Sequence, residues 1–147
     1  MEKMPDDDKS DKELLANYDT ILKESAILTT FSAILFGFLL ENAINPPSFF
    51  TTIDKIFLIS SLYSITLAAC LFIMPVIYHH IQFPYRNFEK FRVRSHRFTL
   101  FGLLPAGLTL FLGLELALSS IINQLYLSLT LAALPFLFVL LFYKLRK

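Results

Sequence analysis

The sequence predicts an all-α integral membrane protein, a four-helix bundle with an amphipathic helix on its N-terminal side. Hydrophobic residues make up 55% of the 147 residues, the mean hydropathy is +0.59, and only 17% of the residues are charged. The apolar residues form four segments of about 20 residues or more, the length that a helix needs to cross about 30 Å of hydrocarbon. Backbone groups cannot stay unpaired in lipid, so segments of this length must be helical.

The chain begins with an acidic, polar stretch, residues 1–10, which is expected to be disordered because it offers almost nothing to bury. Ser10 and Glu13 then have the spacing of a capping box, in which each side chain binds the other residue's backbone N–H. Apolar residues recur at helical spacing after it, which predicts an amphipathic helix over residues 11–24 that leads into the membrane. This helix and the rest of the chain form a single membrane domain, residues 11–147.

The four predicted transmembrane helices differ in how they are connected. They comprise residues 25–44, 56–78, 98–118 and 121–143. Pro46 and Pro47 separate the first two, because consecutive prolines cannot continue a helix. The last two are so close in sequence that they must form a tight antiparallel hairpin. Residues 79–97 form a longer loop that carries five of the 13 Lys and Arg residues, more than any other connection.

The distribution of Lys and Arg predicts the orientation of these helices. With four crossings, both termini and the loop of residues 79–97 lie on one side of the membrane, and Lys55 is the only basic residue on the other side. The positive-inside rule therefore places both termini in the cytoplasm. We expect a multi-pass protein of the cell inner membrane.

The predicted loop interleaves aromatic residues with five basic residues. These are Arg86, Lys90, Arg92, Arg94 and Arg97. A similar mixture occurs in proteins that bind single-stranded nucleic acid, but beside a membrane it favours an interfacial segment whose rings lie among the lipid headgroups. The predicted partners are therefore the lipid bilayer and anionic lipid at the cytoplasmic face, and no nucleic acid is expected.

Small residues recur every four positions along the first transmembrane helix, at Ser25, Thr29, Ala33 and Gly37. Small side chains let helices approach closely, so a stripe of this kind is typical of a packing face. With similar stripes on other helices, it favours helix packing within the chain and a homo-oligomer. Glu41 continues the same spacing and is expected to point into the bundle or toward an oligomer axis.

Two carboxylates, Glu41 and Glu115, fall inside the apolar segments. A carboxylate at mid-membrane costs at least about 2.5 kcal/mol on insertion scales, and such residues usually have a partner or a role. Both lie toward the outer boundary, where water is within reach and where Asp54 can join them. They are either ordinary interfacial carboxylates or residues that handle ions or protons. Glu115 shares a face with Leu108 and Leu112 that is expected to meet lipid or another subunit.

The motifs of the common enzyme classes do not occur in this sequence. It contains no phosphate-binding loop, nucleophile elbow, HExxH motif or glycine-rich nucleotide fingerprint. Cys70 is the single cysteine, so no disulfide can form within the chain, and the histidines lack the spacing and the additional ligands of a metal site. We therefore expect no enzymatic activity, no cofactor and no bound metal.

Three short stretches of the chain are residues 13–15 (ELL), 75–80 (PVIYHH) and 97–102 (RFTLFG). In these stretches the chain resembles a bacterial family of small four-helix membrane proteins, one of the domain-of-unknown-function families. The resemblance covers nearly the whole chain. It implies the four-helix topology and transfers no functional site.

Three functional hypotheses fit these features. The first is a non-enzymatic membrane protein that self-associates through its small-residue stripes and serves as a scaffold or accessory subunit. The second is an oligomeric ion channel or proton-coupled transporter with Glu41 near the outer entrance. The third is a stress or defence effector that perturbs the membrane.

Overall fold

The computed structural model describes residues 5–82, 88–122 and 124–146. These residues form four α-helices and no strand. The helices are α1 (Pro5–Ile44), α2 (Thr52–Gln82), α3 (Phe88–Ile122) and α4 (Leu125–Leu145). Each contains a stretch that is long and apolar enough to cross a membrane. The prediction of an all-α, membrane-spanning four-helix bundle is therefore confirmed.

α1 joins two predicted elements into one continuous helix. The amphipathic helix of residues 11–24 and the first transmembrane helix follow each other without a break. α1 also begins at Pro5, so residues 5–10 are helical where disorder was expected, and the capping box at Ser10 does not start the helix. Residues 1–4 lie outside the described residues.

Most of the predicted cytoplasmic loop is helical. α2 continues to Gln82 and α3 begins at Phe88, so the prediction of a loop over residues 79–97 is wrong at both of its ends. The intervening residues 83–87 lie outside the described residues. The prediction ended each helix where its hydrophobic pattern ended, but Lys, Arg and Glu are good helix formers and continue a helix beyond the hydrocarbon.

The other end of the bundle agrees more closely with the prediction. α3 ends at Ile122 and α4 begins at Leu125, so residues 123–124 connect them in the expected tight hairpin. The connection between α1 and α2 lies at this end as well, and we term it the hairpin end. The end at which α1 begins and α4 finishes is termed the terminal end.

The core lies between α2 and α3, the two helices with the most extensive mutual packing. Ile65, Ala68 and Phe72 of α2 meet Ala106 of α3, and all four are buried. α1 covers this core with three partly buried leucines, Leu28, Leu35 and Leu39. α4 packs on α3, and among the described residues no Cα atom of α4 lies within 8 Å of a Cα atom of α1 or α2.

Gly102 lets α3 approach α2 closely. A Cβ atom at this position would lie 2.5 Å from Cε1 of Phe72, a ring that is itself fully buried. Small residues are typical of such close approaches between helices in a membrane. The spacing of α2 and α3 therefore depends on the missing side chain at this position.

A buried hydroxyl joins α1 to α2 near a proline. Ser25 donates a hydrogen bond to the backbone carbonyl of Phe72. Phe72 lies three residues before Pro75, which lacks the N–H that would continue the hydrogen-bond ladder of α2. Pro75 leaves the carbonyl of Leu71 without its helical donor, and Ser25 bonds to the next carbonyl along the chain.

An aromatic cluster joins α1, α2 and α3 at the terminal end. Phe91 is fully buried and stacks between Tyr18 and Tyr78, with ring centroids 5.0 Å and 5.9 Å away. His79 packs edge-on against Tyr18, and Arg94 donates a hydrogen bond of 2.7 Å to the Tyr78 hydroxyl. The prediction that the aromatic rings of this segment lie among lipid headgroups is wrong for Phe91, because α3 turns this ring onto α1 and α2.

Candidate proton- or cation-binding site

A carboxylate stabilises the beginning of α2 at the hairpin end. Thr51 donates two hydrogen bonds of 2.8 Å to Asp54 Oδ2, one from its backbone N–H and one from its hydroxyl. The Asp54 N–H donates in return to Thr51 Oγ1 at 3.3 Å. This reciprocal pair is a capping box. It explains why α2 begins at Thr52, before the predicted start at residue 56. It also holds the Asp54 side chain in place.

α3 supplies a further contact to Asp54. Ser119 Oγ lies 3.2 Å from Asp54 Oδ1 and 3.2 Å from the backbone oxygen of Leu116. A serine has one hydroxyl proton, so it bonds to one of these oxygens at a time. Asp54 is only 7% exposed, and its carboxylate therefore depends on Thr51 and Ser119 for its hydrogen bonds.

Glu115 lies one helical turn deeper in the bundle, about 6 Å along α3 from Ser119. Its side chain is fully buried, with 0% exposure. Ser128 of α4 contacts it, with an Oγ–Oε1 distance of 3.1 Å. The other carboxyl oxygen, Oε2, is buried and has no hydrogen-bond partner among the described residues.

Ser128 can serve Glu115 in either protonation state. Its Oγ also lies 3.0 Å from the backbone oxygen of Leu125. If Glu115 is ionised, Ser128 donates its proton to the carboxylate. If Glu115 carries a proton, the carboxyl group can donate to Ser128, whose own proton then turns to Leu125. Both forms are accommodated with the same heavy-atom positions.

A cleft of about 220 Å³ opens beside Asp54 at the hairpin end. Its lining includes Thr51, Asp54, Ser119 and Gln124, so hydrogen-bonding groups are available on its walls. A water molecule takes up about 30 Å³ in the liquid, and the cleft has room for several. Asp54 and Ser119 both line this cleft, and Glu115 lies one helical turn from Ser119 along α3.

The expectation that Glu115 faces lipid or another subunit is wrong. Both Glu115 and Leu112, which shares its predicted face, are buried. Sequence reasoning assigns Ser128 only to a small-residue stripe of the fourth helix and gives Ser119 no role at the carboxylates. A signal for them was present, because Ser119 follows Glu115 by one helical turn and Ser128 lies just beyond the short hairpin that brings α4 back along α3.

Glu41 does not belong to this site. Its side chain is exposed, and Oε1 accepts a hydrogen bond of 2.9 Å from Asn45 Nδ2. The expectation that it points into the bundle is wrong, because each four-residue step advances about 40° beyond a full helical turn. The four steps from Ser25 to Glu41 therefore rotate the stripe by about 160°. An oligomer axis, the other alternative, stays a prediction.

The same rotation divides the predicted packing stripe of α1. Ser25 is buried and Thr29 is half-buried, but Ala33 and Gly37 are exposed. The residues of α1 that are actually buried or half-buried follow the mixed three- and four-residue spacing of a helix face. Within the predicted span of residues 25–44 they are Ser25, Leu28, Thr29, Ser32, Leu35 and Leu39.

The basic residues that are predicted to contact lipid headgroups lie at the terminal end. Arg86 lies outside the described residues. The other four occupy exposed positions near the beginning of α3: Lys90, Arg92, Arg94 and Arg97. Their contact with anionic lipid stays a prediction.

Two carboxylates and the hydroxyls of Thr51, Ser119 and Ser128 offer oxygen atoms to a ligand at the hairpin end. Oxygen ligands suit protons and hard cations. Among the described residues, no group of three or more His, Cys, Asp or Glu side chains is placed to hold a metal ion. The chemistry available is therefore reversible binding of a proton or of a small, weakly coordinated cation.

Comparison with known proteins identifies a family and no activity. Residues 7–146 match a family of unknown function, DUF6328. No curated protein and no solved structure matches the chain. The resemblance to a domain-of-unknown-function family, which the three short stretches of sequence indicate, is confirmed by this match over nearly the whole chain.

Proposed function

The chain belongs to the DUF6328 family, whose function is unknown, and we propose that it is a non-enzymatic membrane protein that takes up a proton or a small cation at Glu115. The proton or cation arrives through the cleft beside Asp54. The proposal keeps the ion- or proton-handling hypothesis but moves its central carboxylate from Glu41 to Glu115.

The observation that carries the proposal is the unpartnered Oε2 atom of the fully buried Glu115. A buried polar atom without a partner costs roughly 1–3 kcal/mol, and more if it is charged. Native proteins keep few such atoms, and each calls for an explanation. A proton on the carboxyl group lowers this cost because it removes the charge, and a cation beside Oε2 supplies the missing partner. Ser128 is positioned to bond to Oε1 in either protonation state.

The position of Asp54 supports a route to Glu115 from the hairpin end. Asp54 lines the cleft and contacts Ser119, one turn above Glu115. A carboxylate at the mouth of a cleft raises the local concentration of cations. Since the positive-inside rule predicts that the hairpin end faces outward, we propose that uptake occurs from the outer face of the inner membrane.

Infrared difference spectroscopy on the protein in lipid tests uptake directly. Acidification, or addition of Na⁺ or K⁺, should change a carboxyl band in the wild type, and Glu115→Gln should lose this band. Glu41→Gln is the matched control, because Glu41 is exposed and lies outside the site. A Glu115→Gln spectrum identical to that of the wild type would sink the proposal.

A flux measurement in liposomes decides whether uptake leads to transport. Internal pH, Na⁺ and K⁺ are followed with dyes after a gradient is imposed. For a transporter we expect Glu115→Gln to reduce flux at least about tenfold, with Glu41→Gln unchanged. Uptake without flux for any of these cations would instead identify a binding or sensing protein.

The exposed small residues of α1 favour a second function, self-association as a scaffold or accessory subunit. Ala33 and Gly37 are exposed, and a Cβ atom at Gly37 would meet no atom within 4 Å. A helix of another subunit can therefore approach this surface closely.

Gly37→Leu should shift the protein toward monomers in lipid, as counted by single-molecule photobleaching. Phe38→Ala is the control: Phe38 lies about 100° further round the helix, so this change should leave the oligomeric state unaltered. A wild-type protein that is monomeric at every lipid ratio would exclude self-association.

A further inference from the structure

An open groove of about 490 Å³ runs between α1 and α3 at the terminal end. Its polar lining comprises Asn17, Thr20 and Glu24 of α1 and Arg92, His96, Arg97 and Thr99 of α3. We term it the α1–α3 groove. It lies at the opposite end of the helices from Glu115 and is independent of the proposed uptake site.

Two charged groups of the groove have no partner among the residues that the structure describes. Arg92 is engaged, because its Nη2 donates to Glu89 Oε1 at 2.9 Å. Arg97 and Glu24, in contrast, have no hydrogen-bond or ion-pair partner among the described residues. The groove therefore presents one unpaired cation and one unpaired anion, with the His96 imidazole adjacent to Arg97 in the sequence.

The groove lies at the depth where the hydrocarbon begins. Glu24 is the last charged residue of α1 before the apolar segment, and Arg97 is the corresponding residue of α3. This boundary is where lipid headgroups lie. One helical turn further along the same faces, Ile27, Leu100 and Phe101 are exposed. A ligand in the groove is therefore polar at one end and can extend apolar chains over these side chains.

We propose that the α1–α3 groove binds a zwitterionic phospholipid whose headgroup carries a phosphate and a primary ammonium group. Arg97 and His96 donate hydrogen bonds to the phosphate, and Arg is well suited to this contact. The Glu24 carboxylate accepts from the ammonium group, and the acyl chains follow the exposed side chains of α1 and α3. Phosphatidylethanolamine is a lipid of this chemistry.

The pairing of opposite charges separates this proposal from general attraction to anionic lipid. An anionic headgroup without an amine would meet repulsion from Glu24. A choline headgroup has no N–H to donate to Glu24. An amine-bearing zwitterionic headgroup satisfies both unpaired charges of the groove, and binding is therefore expected to be selective among phospholipids.

Native mass spectrometry of the full chain tests this selectivity. Delipidated protein is incubated with equal amounts of phosphatidylethanolamine, phosphatidylglycerol and phosphatidylcholine of identical acyl chains, and the retained lipid is counted. We expect phosphatidylethanolamine to be retained preferentially, and Arg97→Ala to reduce its retention about tenfold, since one charge-assisted contact of about 1.4 kcal/mol corresponds to that factor. Glu24→Gln should remove the preference for phosphatidylethanolamine over phosphatidylglycerol.

Lys23→Ala is the matched control for charge. Lys23 is exposed at nearly the same depth but pairs with Asp19 outside the groove, so its loss should leave retention unchanged. Phosphatidylglycerol bound as tightly as phosphatidylethanolamine by the wild type would overturn the proposal in favour of a simple anionic lipid surface. Equal retention of phosphatidylcholine, or an Arg97→Ala variant with unchanged retention, would overturn it as well.

Discussion

Small hydroxyl side chains supply many of the polar contacts inside this bundle. Ser32 and Ser61 are fully buried, and each donates to a backbone oxygen four residues earlier, at 2.9 Å and 2.8 Å. Bonds of this kind satisfy the hydroxyl within its own helix. Ser25 and Ser128 instead reach a neighbouring helix. The sequence pattern predicts where serines recur but not which of them bridge helices, because that depends on the rotation and approach of two helices together.

The close contact at Gly102 predicts that adding a single methyl group at this position lowers the stability of the protein. Gly102→Ala should destabilise the protein by about 1–3 kcal/mol, because its Cβ would overlap the buried Phe72 ring. Gly113→Ala is the matched control: a Cβ atom there meets nothing within 4 Å, so this change should be neutral or stabilising by up to about 1 kcal/mol. Thermal unfolding in detergent, followed by circular dichroism, measures both variants. Equal melting temperatures would show that α2 and α3 are not in close contact at this point.

At the scale of the helices, the hydrophobic pattern identifies the four spans but not their ends. α1 has 40 residues and α3 has 35, whereas about 20 suffice to cross the hydrocarbon. The extra turns lie beyond the apolar segments, where charged residues continue a helix at little cost. Which side of a helix is buried is harder to predict than whether the helix forms. In α1 the four-residue repeat begins on the packing face at Ser25, but its successive residues rotate around the helix, and Glu41 no longer lies on that face.

Two neighbouring positions test the rotation of α1. Ser32 is fully buried and Ala33 is exposed. Ser32→Leu should therefore destabilise the chain by about 1–3 kcal/mol through overpacking against α2, while Ala33→Leu should change stability by no more than about 0.5 kcal/mol. Equilibrium unfolding in mixed micelles measures the difference. Equal losses of stability from the two substitutions would contradict the observed rotation of α1 about its axis.

On the scale of the whole molecule, the two ends of the bundle differ in chemistry. The hairpin end holds the buried carboxylates, and the terminal end holds the aromatic cluster and the α1–α3 groove. Sequence reasoning predicts the number of helices, because a long apolar run has few alternatives in a membrane. Topology alone also brings Asp54 and Glu115 to the same end. The burial of Glu115 could not be predicted, because it depends on how α4 closes over α3.

The orientation of the molecule sets the direction of the proposed uptake. In a Cys70→Ser background, Gln124→Cys and Lys144→Cys place single thiols at exposed positions of the hairpin end and the terminal end. If both termini are cytoplasmic, a membrane-impermeant maleimide added to intact spheroplasts should label the Gln124→Cys variant alone. The Lys144→Cys variant should react only after permeabilisation. The reverse pattern would place the cleft on the cytoplasmic side.

The sparse packing of α4 has a consequence for biogenesis. Each helix packs mainly on its neighbour in the chain, and α4 contacts α3 alone among the described residues. The bundle can therefore assemble in the order of its synthesis, with α1, α2 and α3 in place before α4 emerges. Glu115 is synthesised before Ser128, so its carboxyl group reaches the insertion machinery ahead of its hydroxyl partner. Because α3 precedes α4 in this order, Glu115 stays without its hydroxyl partner until α4 packs on α3, and the arrival of the last helix completes both the fold and the site.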